Sequence, residues 1–495
     1  MTADDRPLRL RITRLGSAGD GVAEGPTHVP GGLPGEVVTA RPMGRGVAVL
    51  EAVEVPSPDR VAPPCSHFLE GCGGCAIQHL ALPAGSAWKR ARLVEALSRA
   101  GYPDAPVGET VETPPNARRR ADLALRRRPD GTVAVGFHPR GSAEVLDLRE
   151  CHVLRPELFA LLPPLRALLR RLPALNGRGS AVVNLLDTGP DILLRTDGAL
   201  DAAGRRLLAA FAASLRLPRV AWARGDDSPE VAAQSGPVRL TFGGARSGSR
   251  SAEVARPSPQ PSPVPGSPSS LLLGVGLRER ESGAPQSPLP LHGRGRDPRC
   301  EASWEGEGRA TAIYAAHTIA PPPGAFLQAS VEGEAAITAA VLAGLPARLP
   351  ARARLLDLYA GLGTLGFPLS ARARVTAVEG DAAAHAALDA GARAAGGRIT
   401  AIRRDLARQP MLPAELKPFA AAVLDPPYAG AADQVAQIAR STLARVIYVS
   451  CNPVALARDA AVLRGAGFAV IAATPIDQFR WSAHLESVVV FARDG

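Results

Sequence analysis

Cysteine, lysine and long apolar runs are all scarce in this sequence, and the scarcity of the first and the last excludes whole classes of protein. The chain has six cysteines in 495 residues, too few for a disulfide scaffold, so clustered cysteines point to metal binding or catalysis. No uninterrupted apolar run reaches the ~20 residues that a membrane span needs, and the first residues lack the basic-then-apolar order of a signal peptide. We therefore expect a cytoplasmic protein that does not contact a membrane.

The positive charge is almost entirely arginine, because Lys89 and Lys417 are the only lysines. The formal net charge is +10, of which about +4 falls in residues 245–300. The remaining surplus permits a nucleic-acid partner without requiring one.

Hydrophobic rhythm divides the chain into three parts, which we place at 1–60, 61–310 and 311–495. Short apolar runs separated by Gly/Pro turns in the first part are typical of a small β-barrel. The second part is mixed. In the third, strand-length apolar runs alternate with alanine-rich helical stretches, which predicts an α/β fold with a doubly wound parallel sheet. The predicted strands of this sheet are 355–359, 375–378, 399–402, 421–424, 446–450 and 468–472, followed by a last apolar run at 487–491.

Residues from about 245 to 305 interrupt the second part with Pro-, Ser- and Arg-rich sequence. Ten prolines in 251–300 block helix and sheet, and too few apolar residues are present to offset the entropy of ordering. We predict a disordered insert, with Cys300 at its edge as a bystander.

A glycine-rich turn follows the first strand of the third part. The sequence D-L-Y-A-G-L-G-T-L-G at 357–366 contains G-x-G-x-x-G, which lets the backbone approach a ligand. The next two strands are followed by Glu379, suited to ribose hydroxyls, and by Asp405, suited to an exocyclic amine. A dinucleotide remains open by pattern, but Asp357 would repel a pyrophosphate and attract a cationic amino or sulfonium group. An adenosyl cofactor with a methionine tail fits better.

The fourth strand is followed by D-P-P-Y at 425–428. Two prolines fix the chain as it leaves the sheet, so Asp425 should project rigidly into the cleft. Taken alone, this motif resembles that of enzymes that methylate exocyclic amines on bases, a chemistry that requires no cysteine. It is the main enzymatic alternative.

The fifth strand ends in S-C-N-P at 450–453 and places the thiol of Cys451 at the same sheet edge. A presumed helix start there should lower its pKa, which favours a nucleophile over a small core residue. Glu486 begins the last apolar run and should enter at one end of the sheet. Methylation of uracil carbon 5 needs such a pair: a thiolate that adds to carbon 6, and a base that removes the carbon-5 proton. A base inside folded RNA must also be flipped out.

Taken together, these motifs resemble the bacterial RNA (uracil-5-)-methyltransferases, specifically the 23S ribosomal RNA branch. The resemblance covers nearly everything outside 245–305 and rests on F-L-Q at 326–328, the segment 357–364, D-P-P at 425–427, S-C-N-P at 450–453 and H-L-E at 484–486. It implies a Rossmann-like class I methyltransferase domain that binds S-adenosylmethionine, with Cys451 as nucleophile, Glu486 as base and Asp425 at the uracil. It implies cofactor contacts from Gln328, Asp357, Tyr359, Gly361, Gly363, Thr364, Glu379, Asp405 and Asp425. The amino-terminal barrel resembles an OB-like TRAM domain.

Two positions depart from the family pattern. Tyr428 stands where arginine is usual after the double proline, and R-W-S at 480–482 replaces the usual Pro-x-Thr. Arginine runs at 118–120 and 126–128 flank a predicted strand at 121–125. In this family they are candidates for phosphate contacts that position RNA, the alternative being a solvated face.

A second constellation joins Cys65, Cys72, Cys75 and the distant Cys151. Three close thiols and one remote thiol can complete a four-thiolate site, for zinc or for a cluster. The resemblance implies a [4Fe-4S] cluster with a structural or RNA-positioning role, in a central α+β domain.

The sequence thus predicts a monomeric enzyme that makes 5-methyluridine in 23S ribosomal RNA, with no protein partner. The alternatives are an exocyclic-amine methyltransferase, a non-catalytic RNA-binding iron–sulfur protein, and the same chemistry on transfer RNA.

Overall fold

The computed structural model describes residues 6–243 and 316–493. The insert predicted at about 245–305, with Cys300, lies outside the described residues. Within these two ranges, no helix combines the length and the apolarity needed to cross a membrane.

The amino-terminal part is a five-stranded antiparallel sheet in the order β3-β2-β1-β4-β5. Its strands are β1 Leu8–Leu15, β2 Gly21–Ala23, β3 His28–Val29, β4 Val37–Pro42 and β5 Ala48–Val55. Buried Ile12, Val29 and Val38 form its small core. The fully buried carboxylate of Glu36 accepts hydrogen bonds from the amides of Leu33 and Ser57. This half-barrel fits the predicted amino-terminal barrel.

The middle part is built on a seven-stranded sheet in the order β13-β12-β11-β10-β7-β8-β9. Its helices are α1 Ser66–Leu69, α2 Leu82–Arg99, α3 Pro156–Phe159, α4 Leu162–Arg171 and α5 Ala202–Ser214. Its strands are β6 Val111–Glu112, β7 Arg120–Arg127, β8 Val133–Phe137, β9 Leu146–Asp147, β10 Arg178–Leu186, β11 Gly189–Thr196, β12 Arg219–Arg224, β13 Glu230–Gln234, β14 Leu240–Phe242 and β15 His317–Ile319. Strands β14 and β15 pair separately, and β6 joins the carboxyl-terminal sheet.

The carboxyl-terminal part alternates strands and helices as predicted. Its helices are α6 Val331–Ala343, α7 Gly366–Ser370, α8 Ala382–Ala394, α9 Pro413–Leu416, α10 Ala432–Ala439 and α11 Pro453–Gly465. Its strands are β16 Arg354–Leu358, β17 Arg374–Glu379, β18 Ile399–Arg403, β19 Ala421–Leu424, β20 Arg445–Ser450, β21 Ala469–Asp477 and β22 Glu486–Ala492. All six strands predicted for this sheet are present, together with the last apolar run, which forms β22.

This sheet has eight strands in the order β18-β17-β16-β19-β20-β22-β21-β6. The first five are parallel, and β22 is inserted antiparallel beside β20. The switch from β18-β17-β16 to β19-β20 opens a crevice at the carboxyl ends of the strands, where ligands bind in such sheets. Leu93 and Leu97 of α2 pack into the same core as the strands. The sheet is therefore completed by segments from far earlier in the chain.

Candidate active site

The glycine-rich turn after β16 is sharply bent. Tyr359, Gly361 and Gly363 have φ values of 61°, 54° and 87°, and a non-glycine residue in this region carries the kind of backbone strain found at ligand sites. A Cβ on Gly363 would lie 2.7 Å from Leu388 Cδ1, whereas one on Gly361 would meet no atom within 4 Å. The turn therefore presents open backbone at Gly361, with the partly buried Thr364 on the same turn.

Carboxylates lie at the ends of the strands on either side of this turn. Glu379 ends β17, and its Oε2 accepts a hydrogen bond from Gly361 N at 2.7 Å. Asp405 follows β18, is exposed, and accepts from the Ala407 amide at 3.0 Å. Both carboxylates therefore lie at or just after the carboxyl ends of β17 and β18, which is where the sequence predicted them.

Asp357 is the most unusual of these acids. It is 1% exposed, and neither carboxylate oxygen has a hydrogen-bond partner among the described residues. Burial, and then nearby Asp425 and Glu379, raise the pKa of Asp357 well above its usual range, while the backbone N–H of Gly366, which lies near the carboxyl group without meeting hydrogen-bond geometry, opposes them. A buried carboxyl group without a partner is costly to ionise. A cation placed beside Asp357 would stabilise its ionised form.

Cys451 and Glu486 are brought together by the antiparallel pairing of β20 and β22. Ser450 lies opposite Ser487, and the Ser487 hydroxyl donates to Ser450 O at 3.0 Å. Cys451 follows the first of these residues and Glu486 precedes the second, so the two lie at the same end of the strand pair. Glu486 is 4% exposed, whereas the thiol reaches a large cavity.

The ionisation of Cys451 differs from the prediction. Burial, and then the carboxylates of Glu486 and Asp425, raise the pKa of the Cys451 thiol to about 12. The lowered pKa expected from the helix start is therefore wrong for this structure, because burial and two acids outweigh the helix terminus. Burial also raises the pKa of Asp425 to about 7. Neutral carboxyl groups next to the thiol would make its ionisation easier.

Two buried amides link the carboxyl groups. Gln328 Nε2 donates to Asp425 Oδ2 at 3.2 Å, and Gln478 Nε2 donates to Glu486 Oε2 at 3.0 Å. The same Gln478 nitrogen donates to Gln328 Oε1 at 2.8 Å. Gln328 is held in turn by Arg119, whose Nε donates to Gln328 O at 3.1 Å. Gln328, predicted from the sequence as a cofactor contact, thus also contacts the carboxyl group of Asp425.

The turn before Glu486 is supported from α2 and from the residue that follows β6. Lys89 Nζ donates to Asp477 Oδ1 at 2.6 Å and to Phe479 O at 3.1 Å. Arg480 donates to Thr113 O through Nε and Nη2, at 3.0 and 2.8 Å. These contacts fix the residues that replace the usual proline-containing turn.

The four cysteines of the second constellation line one cavity of about 990 Å³. Cys65, Cys72 and Cys75 are buried, Cys151 is half-buried, and none forms a disulfide. Burial, and then the neighbouring thiols of Cys151 and Cys72, raise the pKa of Cys75 to about 12. The same cavity is lined by Cys451. Cys65 and Cys451, more than 300 residues apart in the chain, therefore line the same cavity.

These thiols do not form a compact metal site. In the part of the chain that the structure describes, no group of three or more His, Cys, Asp or Glu side chains is arranged to hold a metal ion. Four sulfurs around one zinc would lie roughly 4 Å apart, because each Zn–S bond is about 2.3 Å. The thiol loop is nevertheless tightly constrained, since a Cβ on Gly73 would lie 2.5 Å from His138 O.

The arginine runs are only partly available to RNA. Arg119 is 1% exposed and forms an ion pair with Glu334. Arg127 donates to backbone carbonyls of the segment 169–175. A phosphate role is therefore wrong for these two, because their guanidinium groups are used inside the protein. Arg118 lines the cavity, and Arg126 is exposed.

Comparison with known proteins agrees with this architecture. A family model described as tRNA (Uracil-5-)-methyltransferase matches residues 397–494. An uncharacterized RNA methyltransferase of Brucella suis is 35% identical over 98% of both chains. A 23S rRNA (uracil(1939)-C(5))-methyltransferase of Erwinia tasmaniensis is 30% identical, covering 98% of this chain and 96% of that one. This chain belongs to the RNA (uracil-5-)-methyltransferase family.

One solved structure has the same fold over nearly the whole length of both chains. The crystal structure of the Pyrococcus abyssi tRNA (uracil-54, C5)-methyltransferase in complex with S-adenosyl-L-homocysteine has a TM-score of 0.65 and 17% identity. The match covers 98% of this chain and 99% of that chain.

Within this family, two contacts of the present chain were not predicted. The amide of Gln478 and the ammonium of Lys89 both support the residues before Glu486, and both are almost fully buried. One feature of the sequence indicated that Lys89 is special, since it is one of two lysines in an arginine-rich chain. Gln478 carried none, because its partners Glu486 and Gln328 are identified only by the tertiary structure. Tyr428, the other departure, is 61% exposed, and its carbonyl accepts from Asn452 Nδ2 at 2.9 Å.

Proposed function

We propose that this enzyme transfers a methyl group from S-adenosylmethionine to carbon 5 of a uridine in 23S ribosomal RNA. The observation that carries the proposal is the pairing of Cys451 and Glu486 at one strand end, with the thiol facing a cavity. That cavity, about 990 Å³, lies at the upper end of the range for ligand sites. It has room for a flipped nucleotide.

The residues around the glycine-rich turn fit the cofactor. The open backbone at Gly361 and the carboxylate of Glu379 suit an adenosyl ribose, and the unpartnered Asp357 suits a cationic group. Gln328, Tyr359, Gly363, Thr364 and Asp405 complete the proposed set. When bound, S-adenosylmethionine supplies an electrophilic methyl group.

The chain's own groups supply the remaining chemistry. The Cys451 thiol loses its proton to water in the cavity, and the thiolate adds to carbon 6 of uracil. The electrons of the carbon 5–carbon 6 double bond then form the bond from carbon 5 to the methyl group, as the bond between that methyl group and its sulfonium sulfur breaks. Glu486 then removes the proton from carbon 5. The electrons of that C–H bond restore the double bond, and the carbon 6–sulfur bond breaks to release the thiolate. Asp425 contacts the uracil, and its pKa of about 7 allows it to donate a hydrogen bond.

The four thiols in the cavity support a [4Fe-4S] cluster held by Cys65, Cys72, Cys75 and Cys151. All four line one cavity, and four cysteine thiolates are the usual ligands of such a cluster. Methyl transfer requires no electron, so we assign the cluster a structural role at the RNA cavity. Iron and sulfide analysis of protein purified without oxygen would determine whether the cluster is bound.

The decisive experiment compares wild type with Cys451→Ala. We expect wild-type protein to form a covalent adduct with 5-fluorouridine RNA and to release tritium from carbon-5-labelled uridine RNA, and Cys451→Ala to do neither while still binding S-adenosylmethionine. Retained methylation by Cys451→Ala would support the amine chemistry of the D-P-P-Y motif. Cofactor binding by wild type without tritium release would support a non-catalytic RNA-binding protein.

The nucleic-acid substrate is tested separately. Mass spectrometry of RNA from cells with and without the protein should show one uridine of 23S ribosomal RNA losing its methyl group. Loss from transfer RNA instead would assign the same chemistry to the other branch.

A further inference from the structure

Gln478 uses both of its side-chain N–H groups and its carbonyl oxygen in hydrogen bonds inside the site. Its Oε1 accepts from Ala329 N at 3.0 Å, while Nε2 donates to Glu486 Oε2 at 3.0 Å and to Gln328 Oε1 at 2.8 Å. The backbone donor at Ala329 fixes which end of the amide is oxygen, because a flipped amide would face N–H toward N–H. The side chain is 4% exposed, so water does not compete for these contacts.

The backbone under Gln478 is fixed as well. Ile476 lies opposite Glu486 in the pairing of β21 with β22. Asp477, the residue before Gln478, accepts a hydrogen bond from Lys89 Nζ through Oδ1 at 2.6 Å. Its backbone oxygen accepts from the Thr113 hydroxyl at 2.8 Å. Because the backbone around Gln478 is held in place, its side chain can fix the orientation of the Glu486 carboxylate.

We propose that Gln478 is the positioning residue for Glu486: its amide orients the carboxylate for removal of the carbon-5 proton and couples it, through Gln328, to Asp425. The inference deepens the proposed function and rests on it. No family motif identified in the sequence includes this residue.

The surroundings of Glu486 disfavour its ionised form, so a hydrogen-bond donor to the carboxylate matters there. Burial, and then Asp425, raise the pKa of Glu486 well above its usual range, whereas the hydrogen bond from Gln478 opposes them. Without the amide, one carboxylate oxygen would lose its donor in a buried setting. The group would then be harder to ionise and free to rotate away from the uracil.

The proposal has a signature that a purely structural role lacks. Addition of Cys451 and transfer of the methyl group precede proton removal, and only release of the thiolate requires Glu486. Loss of the Gln478 donor should therefore slow the last step, and the methylated RNA should remain attached to the protein.

The test compares Gln478→Met, of similar size but without donors, with Gln434→Met as a matched control. Gln434 is equally buried, and its amide accepts from Met411 N at 2.8 Å and donates to Met411 O at 3.2 Å, away from the site. Glu486→Gln serves as the reference for a missing base. Each protein is mixed with unmodified uridine RNA and methyl-labelled S-adenosylmethionine, and labelled protein–RNA adduct is measured on a denaturing gel.

We expect Gln478→Met to turn over about tenfold to a hundredfold more slowly, to retain methyl transfer in the first turnover, and to accumulate adduct as Glu486→Gln does. Gln434→Met should accumulate none. Unchanged turnover in Gln478→Met, or equal loss of turnover and first-turnover transfer without adduct, would overturn the proposal. Cofactor affinity is measured in parallel to establish that the variant folds.

Failure of the proposed function is recognised separately. If wild type forms no adduct with 5-fluorouridine RNA, the uracil mechanism itself is wrong. If wild type does form it and Gln478→Met accumulates no adduct on ordinary RNA, only the role of Gln478 is refuted.

Discussion

Binding of S-adenosylmethionine should release a proton, because Asp357 is buried without a partner. In the free protein, burial and the neighbouring carboxylates raise the pKa of Asp357 well above its usual range, which favours its protonated form. A bound cation beside the carboxylate lowers that pKa, so the complex holds fewer protons than the free protein. Affinity should consequently rise with pH until the free carboxyl group is fully ionised.

The magnitude follows from the stoichiometry. Each proton released on binding changes the dissociation constant by at most about tenfold per pH unit, or ~1.4 kcal/mol. Asp357 alone therefore gives a limiting slope of about one in log affinity against pH. Asp425, with a pKa of about 7, raises the slope only if it also ionises on binding.

The assay is titration calorimetry between pH 5.5 and 8 in two buffers with different ionisation enthalpies, which counts protons directly. Asp357→Asn should bind more weakly at high pH and show a flatter pH dependence. Asp191→Asn is the control, since Asp191 is equally buried but paired with Arg219 at 2.8 and 2.7 Å in the middle sheet. A wild-type affinity that is constant over this range, with no proton exchanged, would refute the reasoning.

Two further predictions concern stability and the thiol loop. The raised pKa of Asp425 means that the folded protein holds more protons than the unfolded chain, so the free energy of unfolding decreases as pH rises from about 4 through 7. Asp425→Asn should therefore raise the melting temperature more at pH 8 than at pH 5. An equal change at both pH values would contradict this. Ala76 N and Ile77 N donate to Trp481 O at 2.6 and 2.9 Å, so Cys75→Ser should speed amide exchange at these two residues and lower 5-methyluridine yield. Unchanged exchange would show that the thiol loop does not brace the turn before Glu486.

Local sequence patterns were sufficient for the strands of the carboxyl-terminal sheet and for locating polar side chains at their ends. Alternation of apolar strands with helices predicts a parallel sheet, and in such a sheet every strand ends at one edge. Strand order alone therefore assigns Asp357, Glu379 and Asp425 to one crevice. The hypothesis that Cys451 is the nucleophile also rests on its place after a strand.

Three features were decided only by the tertiary structure. The antiparallel register of β20 and β22 placed Glu486 beside Cys451, and no periodicity within either strand encodes that pairing. The same packing raised the pKa of Cys451, because burial and two carboxylates act across long sequence distances. Arg119, which resembles a surface charge in the sequence, became an internal ion-pair partner. Periodicity reports what each segment does alone, whereas register, burial and charge contacts depend on which segments meet.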